Sequence, residues 1–263
     1  MPIGAADLTD DLALALHLAD AADAVTLASF RSLDLRVETK PDLTPVTEAD
    51  QGTERTLRAL LAEHRPQDSV VGEEYGGALQ PGRQWVIDPI DSTRNYVRGV
   101  PVWGTLIALV EDDTVLVGVV SAPMLARRWW AQRGSGAWLK ALGEAPYRLQ
   151  ASRMRSMADA SISFSDAQGW GNRRSGLNRL LESTLRQRGL GDFWSHCLVA
   201  EGAVDIAAEP ELSIWDVAAL IPIIEEAGGR ITALDGSDAL TGGSAVTTNG
   251  LLHDEVLSML NSQ

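Results

Sequence analysis

The sequence predicts a mixed fold, α+β over residues 1–143 and α/β over residues 144–263. Three observations carry that prediction. Long β-rich segments at Trp103–Val110, Val115–Ser121 and Arg128–Gln132, with a turn at Glu111-Asp112-Asp113, read as an antiparallel meander. Beyond Gly143 short strand-like runs alternate with helical ones. An apolar content of 45% over 263 residues is ample for a packed core. No internal repeat and no low-complexity linker interrupts the chain, so the two halves are expected to pack closely.

In chain order, Leu12, Leu16, Ala19, Val25 and Leu27 give an amphipathic first helix over residues 8–30, with His17 as a structural member. A short strand over Leu33–Glu38 leads to Lys40-Pro41-Asp42-Leu43-Thr44-Pro45, where two prolines mark a loop. Thr47 is placed to cap a helix running to about Glu63, with Glu48 and Asp50 in its first turn. Ser69-Val70-Val71 reads as a strand before the loop Gly72-Glu73-Glu74-Tyr75-Gly76-Gly77. Gly134-Ser135-Gly136 is too short a signature for a dinucleotide loop. Trp129-Trp130 is expected in the core or at a subunit interface.

In the second half, Ser161–Phe164 reads as a strand, Leu177–Arg188 as a helix and Leu198–Ala203 as a buried helix. Val204–Ala208 reads as a strand, and Trp215–Ala227 as an apolar helix stopped by Gly228-Gly229. A strand at Arg230–Leu234 and a helix over 252–260 close the chain.

The net charge of −14 and pI near 4.6 leave no basic excess to displace counterions, which argues against nucleic acid or an anionic membrane as partner. No run is expected to span a bilayer, and Asp7, Asp10 and Asp11 stand where a signal peptide needs basic residues, so a cytoplasmic location is expected. The one cysteine, Cys197, excludes an internal disulfide and a cysteine metal cluster, and its apolar neighbours place it in the core.

The chemistry concentrates at Trp85-Val86-Ile87-Asp88-Pro89-Ile90-Asp91-Ser92-Thr93. An apolar strand is expected to end at Asp88, with Asp91 beside a helix start capped by Ser92 or Thr93. Carboxylates at a strand end suit a hard cation, and a helix start suits a phosphate. Asp216, read as an N-cap, repeats the arrangement. With Glu73, Asp88 and Asp91 it makes a four-carboxylate set without histidine or cysteine, and such a set calls for Mg²⁺ or Mn²⁺ rather than zinc.

Gly72-Glu73-Glu74, the Trp85–Thr93 stretch, Trp215-Asp216-Val217-Ala218-Ala219 and Glu226-Ala227-Gly228-Gly229 together resemble the inositol monophosphatase family of Mg²⁺-dependent, lithium-sensitive phosphatases, over essentially the whole chain. The resemblance implies a layered αβαβα fold. It implies that Glu73, Asp88 and the Ile90 carbonyl hold one Mg²⁺, that Asp88, Asp91 and Asp216 hold a second, and that a looser third lies near Glu73. Thr93 and Asp50, helped by Glu74, would orient the attacking water, and the N–H groups of Ser92 and Thr93 would cradle the phosphate. Ser92 stands where many members have glycine, and Leu220 where a smaller residue is usual.

For the substrate, the resemblance points to a small phosphomonoester bound by Glu73, Ile90, Asp91, Ser92, Thr93, Asp192, Phe193, Glu209 and Asp216, its leaving group meeting the segment Gly191-Asp192-Phe193-Trp194 with Glu209 and Asp216. Asp192 and Glu209 suit an ammonium group, and Phe193 or Trp194 an imidazole. The segments Lys40–Asp50, Tyr96–Trp103, Arg127–Trp130 and Cys197–Asp205 look like the histidinol-phosphatase branch found in actinobacteria, which acts in histidine biosynthesis and is typically a homodimer. The alternatives are an inositol-1-monophosphatase or broad sugar phosphatase, and a non-catalytic phosphate-binding protein.

Overall fold

The computed structural model describes residues 5–33, 36–39 and 45–262. The expected loop at Lys40-Pro41-Asp42-Leu43-Thr44 lies outside them. Helix α1 (Ala5–Ser29) is followed by an antiparallel ribbon of β1 (Val37–Thr39) and β2 (Pro45–Thr47), then by helix α2 (Glu48–His64). A seven-stranded sheet follows in sequential order: β3 (Ser69–Gly72), β4 (Arg83–Asp91), β5 (Gly104–Glu111), β6 (Thr114–Ala122), β7 (Arg127–Gln132), β8 (Ala137–Ala141) and β9 (Tyr147–Arg148). Only its β3/β4 pair is parallel, and a short helix α3 (Thr93–Val97) leaves the end of β4. The second half supplies β10 (Ser161–Phe164), α4 (Arg174–Ser183), β11 (Arg186–Arg188), α5 (Asp192–Ala200) and β12 (Ile206–Glu209). It continues with α6 (Ile214–Val217), α7 (Leu220–Glu226), β13 (Arg230–Thr232), β14 (Ala245–Thr248) and α8 (His253–Asn261). Its five strands form a sheet in the order β11-β10-β12-β14-β13.

Side-chain alternation along the strands fixes the layers. Trp85, Ile87, Ile107 and Leu109 face Leu14, Leu18, Leu57 and Leu61 of α1 and α2. Their neighbours Val86, Leu106 and Ala108 face Cys197, Val217, Leu220 and Ile223 of α5 to α7. On β12, Ile206 and Ala208 turn to α4 and α8, while Ala207 turns to Val199 of α5. The result is the αβαβα stack, with α5 and α7 between the two sheets.

Several elements differ from expectation. The stripe that buries α1 is Leu14, Ala15, Leu18, Ala19 and Ala22, and Leu27 is exposed. The 20-residue stretch Asp10–Ser29, at mean hydropathy 1.3, is long and apolar enough to cross a membrane, which corrects the expectation that no run is. Here that stretch packs on α2 and the sheet. The first strand begins at Val37, and Pro45 opens β2 rather than ending a loop. The helix expected over Leu177–Arg188 starts at Arg174 and stops at Ser183, freeing Arg186–Arg188 to pair with β10. Helix α5 starts at Asp192, and the helix expected over Trp215–Ala227 is broken between Val217 and Leu220. Strands β8, β9 and β14 were not anticipated. Trp129 and Cys197 are core residues, as expected.

Candidate active site

Strand β4 does not stop at Asp88; it runs on to Asp91 through a bulge. Asp88 pairs with Leu106 and Asp91 with Gly104, so three steps on β4 match two on β5. In a regular strand, residues three apart point to opposite faces. The extra residue cancels that alternation and turns both carboxylates to one side. Pro89 has no N–H to offer the ladder there, and its carbonyl accepts instead from Thr105 Oγ1 at 2.8 Å.

Asp216 arrives from the second half on α6. It is the third helical residue rather than the N-cap: Ser213 caps the helix, and its N–H donates to the Asp216 carboxylate at 2.7 Å. Carboxylate oxygens of Asp88, Asp91 and Asp216 lie within 4.8 Å of one another. Burial pushes all three carboxyls up, Asp216 to about 7, and the neighbouring acids push further: Glu73 and Asp91 on Asp88, and Asp192 on Asp91. A group of oxygen donors this close, and with such repulsion, fits hard divalent cations. Glu73 is at the edge of this cluster, on the loop after β3.

That loop is held from below by a residue the sequence reading missed. Glu54, fully buried in α2, accepts the N–H groups of Glu74 and Tyr75 at 2.7 and 3.3 Å and pairs with Arg58 at 2.8 Å. A Cβ on Gly72 would lie 2.2 Å from its carboxylate. A signal was present, because Asp50, Glu54, Leu57 and Leu61 recur at helical spacing on one face, and an acid on an apolar face needs a partner.

Asp50 is tied to Thr47, whose N–H and Oγ1 donate to its carboxylate at 2.8 and 2.5 Å. Thr93 Oγ1 lies 3.3 Å from Asp50 Oδ1 and 3.0 Å from the Ile90 carbonyl. Burial lifts Asp50 to about 6 against the opposing pull of Thr47. Glu73, Asp88, Ile90, Asp91, Ser92 and Thr93 border a cavity of about 530 Å³; Asp50 and Glu74 are not among the lining residues, and Asp50 reaches it through Thr93.

The far wall comes from α5 and β12. Asp192, at φ 51°, accepts a hydrogen bond from Ser92 Oγ, and Ser92 itself sits at φ 67° in the left-handed region. A serine at that strained position thus has a partner that glycine would lack. Glu209 accepts from Ser165 Oγ, and burial pushes it up to about 8. Phe193 borders the cavity, but its ring packs on Trp129 in the core at 6.1 Å, and its N–H donates to Asp91 at 3.0 Å. Trp194 packs against the same core, away from the cavity lining. Of the two aromatics expected to cover an imidazole, Phe193 therefore borders the cavity and Trp194 does not. His196, one turn after Asp192, borders the cavity unforeseen.

The chain matches the inositol monophosphatase family over residues 7–263. It belongs to that family. The histidinol-phosphatase of Mycobacterium tuberculosis is 57% identical over 258 residues, covering 96% of this chain and 98% of that protein. The histidinol-phosphatase of Streptomyces coelicolor is 51% identical, covering 98% and 99%. Among solved structures, an IMPase of Thermotoga maritima superposes with a TM-score of 0.85 at 31% identity, covering 96% of this chain and 97% of that one. As a family member the protein is a metal-dependent phosphoric monoester hydrolase, and its acidic cluster fits that requirement.

Proposed function

We propose that this protein is a Mg²⁺-dependent histidinol-phosphatase, releasing phosphate from L-histidinol phosphate. The observation that carries the choice of substrate is the acidic far wall. Asp192 and Glu209 lie close enough to repel each other, and Glu209 Oε1 is buried with no partner among the described residues. Burial raises both carboxyls, and an ammonium group beside them draws them back to the charged form and pairs with it, whereas a neutral polyol meets only uncharged hydrogen bonds. The identity of 57% and 51% to two histidinol-phosphatases supports the same reading.

Glu73, Asp88, Asp91, Asp216 and the Ile90 carbonyl would hold two or three ions, Mn²⁺ being an acceptable substitute. Bound there, the ions supply charge neutralisation at the phosphate and activation of water. The protein's own groups do the rest. Thr93 Oγ1 accepts a hydrogen bond from the attacking water and passes its own to Asp50, which titrates near 6 and so is ionised and still basic at neutral pH. Glu74, through its loop, helps hold that geometry. The N–H groups of Ser92 and Thr93, at the start of α3, bind the phosphate oxygens. Asp192, Glu209 and the Phe193 backbone bound the leaving group.

On the same resemblance we propose a cytoplasmic homodimer, divided into a metal-binding subdomain over 1–143 and an α/β subdomain over 144–263. The substrate assignment is tested with Asp192→Asn. It lowers kcat/KM for histidinol phosphate about tenfold, the worth of a charged hydrogen bond, with little change for a small neutral phosphate ester. Equal losses on both esters make Asp192 scaffolding. A parent enzyme that prefers inositol 1-phosphate makes the protein a general monophosphatase.

A further inference from the structure

We infer that His196 is a specificity-determining residue, whose Nε2 hydrogen-bonds the polar head of the leaving group on the floor of the cavity. The inference rests on the reading of that leaving group as a nitrogen-bearing one. His196 lies on α5 one turn after Asp192, on the face turned to the second sheet, where its Nδ1 is 2.7 Å from Thr247 Oγ1 on β14. The residue is 1% exposed and borders the cavity, yet Nε2 has no hydrogen-bond partner among the described residues. A buried ring nitrogen left unpaired is costly, and a bound ligand is one way to satisfy it.

The second observation is Glu209, 3% exposed on β12, which borders the same cavity. Ser165 takes its Oε2, while Oε1 has no partner among the described residues. Two residues that border the cavity therefore each carry a buried polar atom with no hydrogen-bond partner among the described residues. Burial keeps His196 neutral, at about 4. The Thr247 hydroxyl either donates to Nδ1 or accepts from it, so Nε2 can present a hydrogen or a lone pair. That pair of groups matches a head with one cationic amine and one neutral heterocyclic nitrogen: the amine for Glu209, the heterocycle for His196. A purely structural histidine would fill the same space without discriminating among leaving groups.

Two substitutions separate these roles. Asn at position 196 keeps a polar atom near Nδ1 for Thr247 and removes the reach of Nε2, whereas Gln extends an amide toward the cavity. The Mg²⁺-loaded enzyme is assayed on histidinol phosphate, inositol 1-phosphate and propyl phosphate, the last with no polar head. In His196→Asn the preference for histidinol phosphate over propyl phosphate falls about tenfold, mainly through KM, and His196→Gln regains most of it. A preference within twofold of the parent's, or equal losses on both esters, overturns the inference. If the parent prefers inositol 1-phosphate, the substrate reading falls, and the same comparison made on that ester decides the role of His196.

Discussion

Asp88 is the residue on which the cluster turns, because Glu73, Asp91 and Asp216 all lie close enough to push its carboxyl up. Its Oδ1 also accepts the Ile90 N–H at 3.0 Å, which fixes the carboxylate plane. Asp88→Asn removes the charge shared by both proposed ion positions. Steady-state assays at saturating Mg²⁺ should show kcat/KM at least about a hundredfold lower, since metal stabilisation of the transition state is worth several kcal/mol. Turnover at the parent rate contradicts the shared role. Glu54 acts one layer further out, through the loop that carries Glu73. Glu54→Gln keeps the shape but loses the charge that holds Arg58 and the Glu74 N–H, so the Mg²⁺ concentration for half-maximal activity should rise about tenfold. An unchanged Mg²⁺ requirement makes Glu54 a folding residue only.

Among the elements, the start of α2 couples stability to the site. Thr47 caps the helix, donating and accepting within a capping box, and the partner in that box is Asp50. Thr47→Ala should therefore cost about 1 kcal/mol in urea unfolding and lower kcat as well, because the aspartate loses its restraint. A stability loss with kcat unchanged separates the cap from the chemistry. This element was legible from the sequence, since Thr-Glu-Ala-Asp is a local signal read within one turn. The bulge in β4 was not: the apolar run gave the strand, but Pro89 suggested an ending, and only pairing with β5 reveals the extra residue. The same limit hid β14 and the break between α6 and α7, whose bounds are set by contacts across the molecule. The four acids were legible because each sits in a distinctive local frame. His196 was not, because its meaning lies in Thr247 and the cavity wall, both remote in sequence.

At the scale of the whole molecule, the cost of gathering these acids links stability to pH. Asp216 and Asp50 titrate near 7 and 6 in the folded chain against the usual 3.8, and Asp88 and Asp91 are also raised. The folded state thus holds these protons more tightly than the unfolded one. The stability they contribute is present below about pH 4 and is lost as pH rises through about 7. Mg²⁺ replaces the protons, so the rise in Tm on adding Mg²⁺ to EDTA-treated protein should be small at pH 5 and larger at pH 8. Equal rises at the two pH values would mean that the cluster does not take the ion.

Lithium should inhibit at about millimolar concentration by competing at the site of Asp88, Asp91 and Asp216, and its effect should strengthen as Mg²⁺ is lowered; this follows from family membership. The most direct test of the account as a whole is phosphate release from histidinol phosphate, inositol 1-phosphate and a small alkyl phosphate, each with Mg²⁺ and with EDTA. Turnover is expected only with Mg²⁺, and fastest on histidinol phosphate. Undiminished turnover in EDTA, or no turnover of any ester with Mg²⁺, would contradict it.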